Sequence, residues 1–364
     1  MLLYLHIPFC HRICPYCSFY KHTPGDTSLG AFVVALASEA RRRVAQSTTA
    51  PRTLYLGGGT PSMLSPRHLR SLFEALHAVV DFGALEEVTL EANPATFDVR
   101  KARLFRELGV TRVSLGIQSF DAQTLATLGR EHTAAQAVRA VNILRQADMP
   151  AVNIDLMFSI PGQSKASWQA TLEQALALHP EHISAYNLSY EEDTAFFDAL
   201  RRGEMHDDED HNAEFFHLAD AILSTGGFDH YETSNFARPG HHSLHNGGYW
   251  RGEDYLGLGP SAVSTIDNVR SKNVADTARY ITQIHALGHA MVEAEILDPE
   301  ARRLEHIALG LRTSEGIALD LLSAEALDRA GHLATAGLLR MTGERLVLIH
   351  HGRALVDPIA AELV

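Results

Sequence analysis

Apolar and polar positions follow a repeated order through the first half of the chain, where a short apolar run precedes each longer amphipathic segment. The short runs predict strands and the amphipathic segments predict helices. A repeated strand–helix order predicts parallel strands joined by right-handed crossovers. The predicted strands are Leu3–Ile7, Thr53–Leu56, Glu87–Glu91, Arg112–Gly116, Val152–Met157 and His182–Asn187, and the predicted helices lie around 28–46, 66–79, 98–108, 122–128, 133–147 and 167–178.

Glycine-rich or polar sequence follows most of these strands, as in GGGTP, EANP, GIQSF, DLMFSIPGQ and YNLSYEE. Functional residues at the carboxyl ends of many successive strands are typical of (β/α) barrels, and less so of a doubly wound sheet, which is the alternative. Six units rather than eight predict an α/β fold that is an incomplete, open (β/α)6 barrel of the TIM type.

The strand–helix order ends near residue 195. An acidic, helix-forming stretch over Glu204–Leu223 leads into a loop-rich segment, and the residues from about 296 predict helices, a hairpin and a final helix. We therefore expect a barrel over 1–195, a connecting segment over 196–290 and a C-terminal α+β region over 291–364 that ends in a winged-helix-like unit.

Composition and charge exclude several classes of function. The net charge is −13, which argues against nucleic acid as a partner, because phosphate recognition depends on clustered Lys and Arg. No apolar run approaches the 18 residues of a membrane helix, and the first residues lack the basic region and cleavage site of a signal peptide. The cysteines are too few and too clustered for a disulfide framework, which predicts a reducing, cytoplasmic setting.

All three cysteines of the chain lie in one short stretch, HIPFCHRICPYCSFYKH, with the spacing C-x3-C-x2-C. Three thiolates in one loop can hold three corners of an iron–sulfur cluster. Zinc is the alternative, with His11 or His22 as the fourth ligand, but structural zinc sites normally have four ligands and paired C-x2-C spacing. Three buried, inert cysteines are a further alternative.

The spacing of Cys10, Cys14 and Cys17 resembles that of the radical S-adenosylmethionine (SAM) superfamily. The resemblance implies that these cysteines hold a [4Fe–4S] cluster, and that the fourth iron binds the amino and carboxylate groups of SAM. It also gives a function to GGGTP (57–61), whose backbone N–H groups at Gly58, Gly59 and Thr60 are expected to face the amino-acid end of SAM.

A closer resemblance extends through nearly the whole chain. YLHIPFCHRICPYCSF, LYLGGGTPSML, LEANP, SLGIQSFD, GREH, NIDLMFSIPGQ and ISAYNLSYEEDT are similar to the oxygen-independent coproporphyrinogen III oxidase group. The resemblance implies SAM contacts at positions that lie, with one exception, at or beyond strand ends, and an aromatic residue beside the cluster. The implied SAM contacts are Tyr4, Gly59, Thr60, Glu91, Gln118, Arg130 and Asp155, and the residue beside the cluster is Tyr16.

That group has a decarboxylase branch and a haem-chaperone branch. The decarboxylases carry a further cysteine two residues after the third, where this chain has Phe19. The haem-chaperone branch carries H-N-x-x-Y-W, which is present as HNGGYW over 245–250. The resemblance therefore implies a protein that binds haem and delivers it to haem-accepting proteins. A homodimer is compatible with this resemblance. Contact with membranes is expected only through the haem-accepting proteins.

His245 is the expected haem contact, because imidazole is a common axial ligand of haem iron and the adjacent glycines would admit a flat ring. His241 and His242 are alternative ligands, and a purely structural role of the motif is a further alternative. At the level of function, the alternatives are a radical decarboxylase of coproporphyrinogen III and a cluster protein in which SAM is only structural.

Overall fold

Six parallel strands form the centre of the fold, as the sequence pattern predicts. The computed structural model of the protein describes residues 1–364, apart from the side chain of His350. The strands pair in chain order, each parallel to the next. They are β1 (Leu2–Ile7), β2 (Thr53–Gly58), β3 (Glu87–Ala92), β4 (Arg112–Gln118), β5 (Ala151–Phe158) and β6 (His182–Asn187).

Each crossover between these strands contains helix, with bounds close to the predicted ones. All six crossover helices begin at a Ser, Thr or Asp residue whose side chain accepts a hydrogen bond from the first turn, which satisfies a backbone N–H that has no partner within the helix. They are α1 (Leu29–Gln46), α2 (Pro66–His77), α3 (Val99–Glu107), α4 (Ala122–Thr127), α5 (Ala134–Gln146) and α6 (Lys165–Ala177).

The two faces of the parallel strands differ in chemistry. Residues such as Leu54, Leu56, Val113 and Leu115 are fully buried in the main hydrophobic core with the helices. The alternate positions are largely polar, although many of them are buried as well; they include Thr53, Tyr55, Glu87, Glu91, Arg112, Ser114, Asn153, Asp155, His182 and Ser184. Because strand side chains alternate between faces, the polar positions form the inner face of the barrel.

Six further strands extend this sheet on both sides, so that the order is β12-β11-β10-β9-β1-β2-β3-β4-β5-β6-β8-β7. Several short strands and one helix, separated by turns, lie within the segment that the sequence predicts to be loop-rich. The two outermost strands do not pair with each other, so the barrel is open, as predicted. The additional elements are α7 (Ala195–Arg201), α8 (Glu209–Thr225), β7 (Asp229–Glu232), β8 (Asn235–Ala237), α9 (Leu244–Trp250), β9 (Tyr255–Leu258), β10 (Val263–Ile266), β11 (Val269–Asn273), α10 (Thr277–Leu287) and β12 (Met291–Ile296).

The last part of the chain forms a second, smaller hydrophobic core with its own three-stranded sheet. The predicted hairpin and final helix are present, whereas the winged-helix likeness and the three domain boundaries stay predictions. The elements are α11 (Pro299–Gly310), β13 (Ile317–Ala318), α12 (Ala324–Thr335), β14 (Leu339–Thr342), β15 (Arg345–Leu348) and α13 (Val356–Leu363), and 3₁₀ turns cover Pro61–Met63, Leu319–Leu321 and His350–Leu355. Among the described helices, none combines the length and the apolar character that crossing a bilayer requires.

Candidate functional site

A cavity of about 390 Å³ lies at the carboxyl ends of the parallel strands, and this volume is in the range of small-molecule sites. Below we call it the strand-end cavity. The structure brings most of the predicted site residues together around it, whereas Tyr4 and His245 do not line it. The predicted residues that line it are Cys10, Cys14, Tyr16, Cys17, Gly58, Gly59, Thr60, Glu91, Gln118, Arg130 and Asp155.

The cysteine loop follows β1 and is fixed to the body of the protein by backbone hydrogen bonds. The N–H of Cys10 donates to the carbonyl of His22 at 3.0 Å, and the N–H of His22 donates to that of Pro8 at 2.8 Å. The hydroxyl of Thr60 lies 3.6 Å from the Cys10 sulfur, and the Arg130 guanidinium lies 3.5 Å from the Cys14 sulfur. All three thiols border one cavity. The hydrogen bonds hold their loop in place, although it has no helix or strand.

The donor set fits an iron–sulfur cluster better than a single metal ion. In the described part of the chain, no group of three or more His, Cys, Asp or Glu side chains is arranged to hold one metal ion. A [4Fe–4S] cube binds each thiolate through a different iron, so its sulfur ligands lie farther apart than ligands around one ion. Three thiols around one cavity suit such a cube.

The two histidines that could complete a zinc site are engaged elsewhere. Nδ1 of His11 lies 2.9 Å from the Glu131 carboxylate. The ring of His22 is hydrogen-bonded at both nitrogens, to the Thr23 carbonyl at 2.7 Å and to the Thr277 hydroxyl at 2.8 Å. The structure thus favours the cluster over a zinc site that uses either imidazole.

Glu91 ends β3 with its carboxylate held on two sides. The Tyr55 hydroxyl donates to Oε1 at 2.8 Å, and the N–H of Gly58 donates to Oε2 at 3.0 Å. Burial raises the pKa of the Glu91 carboxyl to about 7, because a low-dielectric setting disfavours the charged form. The group can accept hydrogen bonds from a ligand amine, and a bound cation would restore its charge.

Three backbone N–H groups of the GGGTP loop already have protein partners, which contradicts their expected donation to a ligand, whereas contact of these residues with SAM stays a prediction. The N–H of Gly58 is taken by Glu91, and the N–H groups of Gly59 and Thr60 donate to the carbonyls of Ile7 and Phe9, each at 2.8 Å. A Cβ at Gly59 would lie 2.7 Å from the Phe9 carbonyl oxygen. Glycine is needed there because the loop packs directly on the chain that leads to the cysteines.

Two polar side chains at the cavity carry atoms without a protein partner. Oε1 of Gln118 and Nε of Arg130 are buried, and neither has a hydrogen-bond partner within the described chain. Gln118 ends β4 with a φ of 67°, which is uncommon for a residue with a side chain. Buried polar atoms are normally paired, so these atoms fit a cavity that receives a polar ligand.

Asp155 lies on β5 and is surrounded by donors from the neighbouring strands. The Ser114 hydroxyl lies 3.0 Å from Oδ2, and the Asn153 amide donates to Oδ1 at 2.7 Å. Burial raises the pKa of the Asp155 carboxyl. The sequence did not predict Tyr55, Ser114 or Asn153 as site residues, although they occupy period-2 polar positions on their strands.

Tyr4 does not line the strand-end cavity, and its predicted contact with SAM stays a prediction. Its hydroxyl pairs with Nδ1 of His6 at 2.9 Å, and Nε2 of His6 pairs with the Tyr20 carbonyl at 2.7 Å. Burial lowers the pKa of His6 to about 4. The neutral His6 ring therefore links β1 to the end of the cysteine loop, and Tyr4 supports it.

His245 lies inside the protein, on a helix rather than in a loop, and its predicted contact with haem stays a prediction. The HNGGYW segment forms α9, and His245 is 1% exposed. Its Nδ1 lies 2.8 Å from the Thr53 hydroxyl, and its Nε2 lies 3.3 Å from the Tyr249 hydroxyl. Burial lowers its pKa to about 3. Iron could reach this imidazole only if Thr53 or Tyr249 gave up its contact with the ring.

One of the two glycines of the motif also serves packing. A Cβ at Gly248 would lie 2.7 Å from the Leu2 side chain, so this glycine lets α9 approach β1 rather than a flat ligand. The alternative ligands remain nearer the surface. His242 is exposed and its ring stacks on that of Tyr231 at 4.2 Å, and His241 is half-buried.

The barrel and its three-cysteine cavity are those of a radical SAM protein. The sequence profile described as "Radical SAM superfamily" matches residues 4–175, which include the cysteine loop and most of the strand-end residues. A solved structure, described as "Coproporphyrinogen III oxidase (HemN) from Escherichia coli is a Radical SAM enzyme", superposes with a TM-score of 0.85. Its sequence identity is 24%, and the match covers 99% of this chain and 89% of that one. This match shows a shared fold.

Relatives in several bacteria are similar over nearly the full length. The "Heme chaperone HemW" of Mycobacterium tuberculosis (strain H37Rv) is 35% identical, and the match covers 100% of this chain and 94% of the relative. The protein of the same description in Bacillus subtilis (strain 168) is 31% identical, with 98% of this chain and 97% of the relative covered. The chain belongs to the HemW family within the radical SAM superfamily.

Proposed function

We propose that this protein is a haem chaperone, which binds haem and transfers it to haem-accepting proteins in the cytoplasm. The observation that carries the proposal is the identity to proteins described as heme chaperones, which extends over the whole chain. It therefore includes the residues beyond 175, which the superfamily profile does not match.

The strand-end cavity is proposed to hold a [4Fe–4S] cluster on Cys10, Cys14 and Cys17, with SAM beside it. When bound, this pair supplies one-electron chemistry. Among the residues of the chain, the buried Glu91 carboxylate suits an amino group. The unpartnered Nε of Arg130 suits a carboxylate, because guanidinium groups donate strongly to carboxylates.

Polar side chains farther along the cavity suit the rest of such a ligand. Asp155 accepts two protein hydrogen bonds and borders the cavity, so it can also accept a hydrogen bond from a ligand hydroxyl. Oε1 of Gln118 is an unpartnered acceptor. Tyr16 borders the same cavity and packs on Phe196 at 6.2 Å, which provides apolar surface beside the cysteines.

Haem reconstitution tests the proposal most directly. The purified protein is reconstituted anaerobically with iron and sulfide and then titrated with haem, while the absorbance of bound haem is followed. We expect one haem per chain and transfer to an apo haem protein. Cys14→Ser should lose the cluster, while haem binding is measured separately. Failure of the wild-type protein to bind haem, or to release it to any acceptor, contradicts the proposal.

Radical decarboxylation of coproporphyrinogen III is the competing function. Phe19 occupies the position of the additional cysteine of that group, and its side chain lies at the border of the cavity, 67% exposed. We expect no protoporphyrinogen from the reconstituted protein in an anaerobic assay with SAM and a reductant. Formation of that product would replace the chaperone proposal with the enzyme. Sedimentation of the same preparation measures whether the protein is a homodimer.

A further inference from the structure

We infer that His245 is a positioning residue of the strand-end cavity, which acts through Tyr55 on the carboxylate of Glu91. The inference rests on the proposed function in one respect, namely that the cavity binds SAM. It gives the histidine of the HNGGYW motif a role that needs no contact with haem.

The three side chains form a continuous row from α9 across β2 to β3, which runs from the buried His245 to the half-buried Tyr55 and Glu91 at the cavity. The rings of His245 and Tyr55 are stacked, with their centroids 4.9 Å apart and their planes 27° from parallel. On its other side, Tyr55 donates its hydroxyl hydrogen to Oε1 of Glu91 at 2.8 Å. The imidazole therefore lies directly behind the group that orients the carboxylate.

The position of the His245 ring is itself fixed by the protein. Thr53, two residues before Tyr55 on the same face of β2, pairs with Nδ1 at 2.8 Å. Tyr249, one turn later on α9, pairs with Nε2 at 3.3 Å and meets the ring edge-on at 5.0 Å. Both ring nitrogens have partners, so the imidazole has one favoured orientation.

The start of α9 is anchored in the same interior. The Glu87 carboxylate of β3 accepts hydrogen bonds from the N–H groups of Leu244 and His245, at 3.1 Å and 3.2 Å. A carboxylate at a helix N-terminus satisfies N–H groups that lack partners in the helix. The His245 ring is thus supported by the backbone as well as by its side-chain partners.

Tyr55 lies between the backbone at Gly57, the ring of His245 and the strand-end cavity. A Cβ at Gly57 would lie only 2.7 Å from the Tyr55 ring, and the Tyr4 ring is 6.1 Å away. If the imidazole were removed, a cavity would open behind the Tyr55 ring, and buried side chains move into such space only in part. The hydroxyl would then be free to move away from Oε1, and Glu91 would lose one of its two protein donors.

SAM affinity and a spectroscopic signal of the cluster test the inference without any assay of turnover. Reconstituted protein is equilibrated with SAM under anaerobic conditions, and the electron paramagnetic resonance spectrum of the reduced cluster is recorded with and without SAM. Tyr55→Phe keeps the ring and removes the donor, so we expect about tenfold weaker binding. We expect a similar loss for His245→Ala and a change within about threefold for His245→Phe, which keeps the stacked ring.

His230→Ala is the matched control. His230 is also buried and stacks on Phe236 at 4.0 Å, but it does not line the strand-end cavity. The His230→Ala substitution should lower the free energy of unfolding without changing SAM affinity by more than about twofold. The double variant Tyr55→Phe with His245→Ala should bind SAM about as tightly as Tyr55→Phe alone, since the effect of His245 passes through the Tyr55 hydroxyl.

Unchanged SAM affinity in His245→Ala would overturn the inference, as would an equal loss in His230→Ala or additive losses in the double variant. A wild-type protein whose spectrum does not respond to SAM contradicts instead the proposed cofactor. Haem titration of the same variants is read separately, so that loss of haem from His245→Phe with normal SAM binding would assign His245 to haem.

Discussion

Arg112 donates through Nε to Oε2 of Glu87 at 3.1 Å, and the two side chains are only 8% and 5% exposed. The pair lies between β3 and β4 on the polar inner face of the barrel. The same guanidinium donates to the carbonyls of His241 and His242, while the carboxylate receives the first N–H groups of α9. One buried ion pair therefore holds the segment that carries the HNGGYW motif against the barrel.

Glu87→Gln should lower the free energy of unfolding by about 3 kcal/mol, because it leaves the Arg112 charge buried without a counter-charge. Urea unfolding at neutral pH, followed by circular dichroism, measures the change. The matched control is Glu107→Gln, which removes the partner of Arg70 from a pair that is 60% exposed on both sides. A control change within about 0.5 kcal/mol is expected, and equal losses in both variants would contradict the prediction.

Burial of Glu232 should make the free energy of unfolding fall as pH rises. It is 2% exposed, has no salt-bridge partner in the described structure, and accepts from the Ser234 N–H and the Asn235 amide. Burial raises its pKa from 4.5 to about 8. In the pH range between those values, the folded protein holds a proton that the unfolded chain releases, so this group makes the free energy of unfolding fall as pH rises toward 8.

Glu232→Gln keeps the size of the side chain and removes the titration. From about pH 5 to about pH 8, the free energy of unfolding of this variant should fall less than that of the wild type. The difference between the two falls should be a few kcal/mol. Urea unfolding at a series of pH values measures the slope. Glu74→Gln, an exposed position on α2, should keep the wild-type slope. A variant at 232 that also keeps that slope contradicts the assignment.

Thr277 lies outside the strand-end cavity, and we expect it to affect how long the cluster survives in air. Its hydroxyl lies 2.8 Å from Nε2 of His22 and 3.1 Å from the Tyr20 hydroxyl, which accepts from the Thr277 N–H at 2.8 Å. These contacts fix the end of the cysteine loop to the start of α10. Thr277→Val keeps the shape and leaves Nε2 of His22 without this partner, at a cost of about 1–3 kcal/mol, while the Tyr20 hydroxyl keeps its bond from the backbone N–H.

The reconstituted Thr277→Val protein should lose its visible cluster absorbance several-fold faster in air than the wild type, because its loop opens more often. Thr282→Val is the control, since this exposed threonine on the same helix bonds only the Ala278 carbonyl. It should lose absorbance at the wild-type rate. An unchanged rate for the 277 variant would show that the loop is held without this anchor.

Two Gly→Ala substitutions should have opposite effects. Gly59→Ala places a Cβ 2.7 Å from the Phe9 carbonyl oxygen and 2.8 Å from that of Ile7, so the loop must shift, and we expect a loss of more than about 2 kcal/mol. Gly331 lies within α12 and a Cβ there meets no atom within 4 Å. Gly331→Ala should stabilise the protein by up to about 1 kcal/mol. Thermal unfolding compares the two variants, and the same sign for both would contradict this interpretation.

The parallel core was predictable because its signals are local. Each strand has a short apolar run, and each following helix begins at a Ser, Thr or Asp cap such as Ser65 or Asp98. The six strands between residues 229 and 296 were not predictable in this way. Strands as short as Asn235–Ala237 have too few residues for a pattern, and they are specified by pairing with β6, which is distant in sequence.

The site residues also differ in whether the sequence could predict them. Cys10, Glu91, Gln118 and Asp155 converge as expected, since the carboxyl ends of neighbouring parallel strands must lie close together. The sequence could not show that the N–H groups of Gly58, Gly59 and Thr60 would be used by the protein itself. It could not show the burial of His245 either, because a short histidine-containing segment can form a loop or a packed helix, and only Thr53, Tyr55 and Glu87 decide between them.

The backbone N–H groups of Gly58, Gly59 and Thr60 all donate to acceptors within the protein, and this affects which ligand can bind beside them. Glycine-rich loops are usually regarded as receptors for anions, since their N–H groups point outward. Here those groups point inward, and the polar group beside them is the carboxylate of Glu91. We therefore expect this end of the cavity, beside Glu91, to favour an ammonium group over a phosphate.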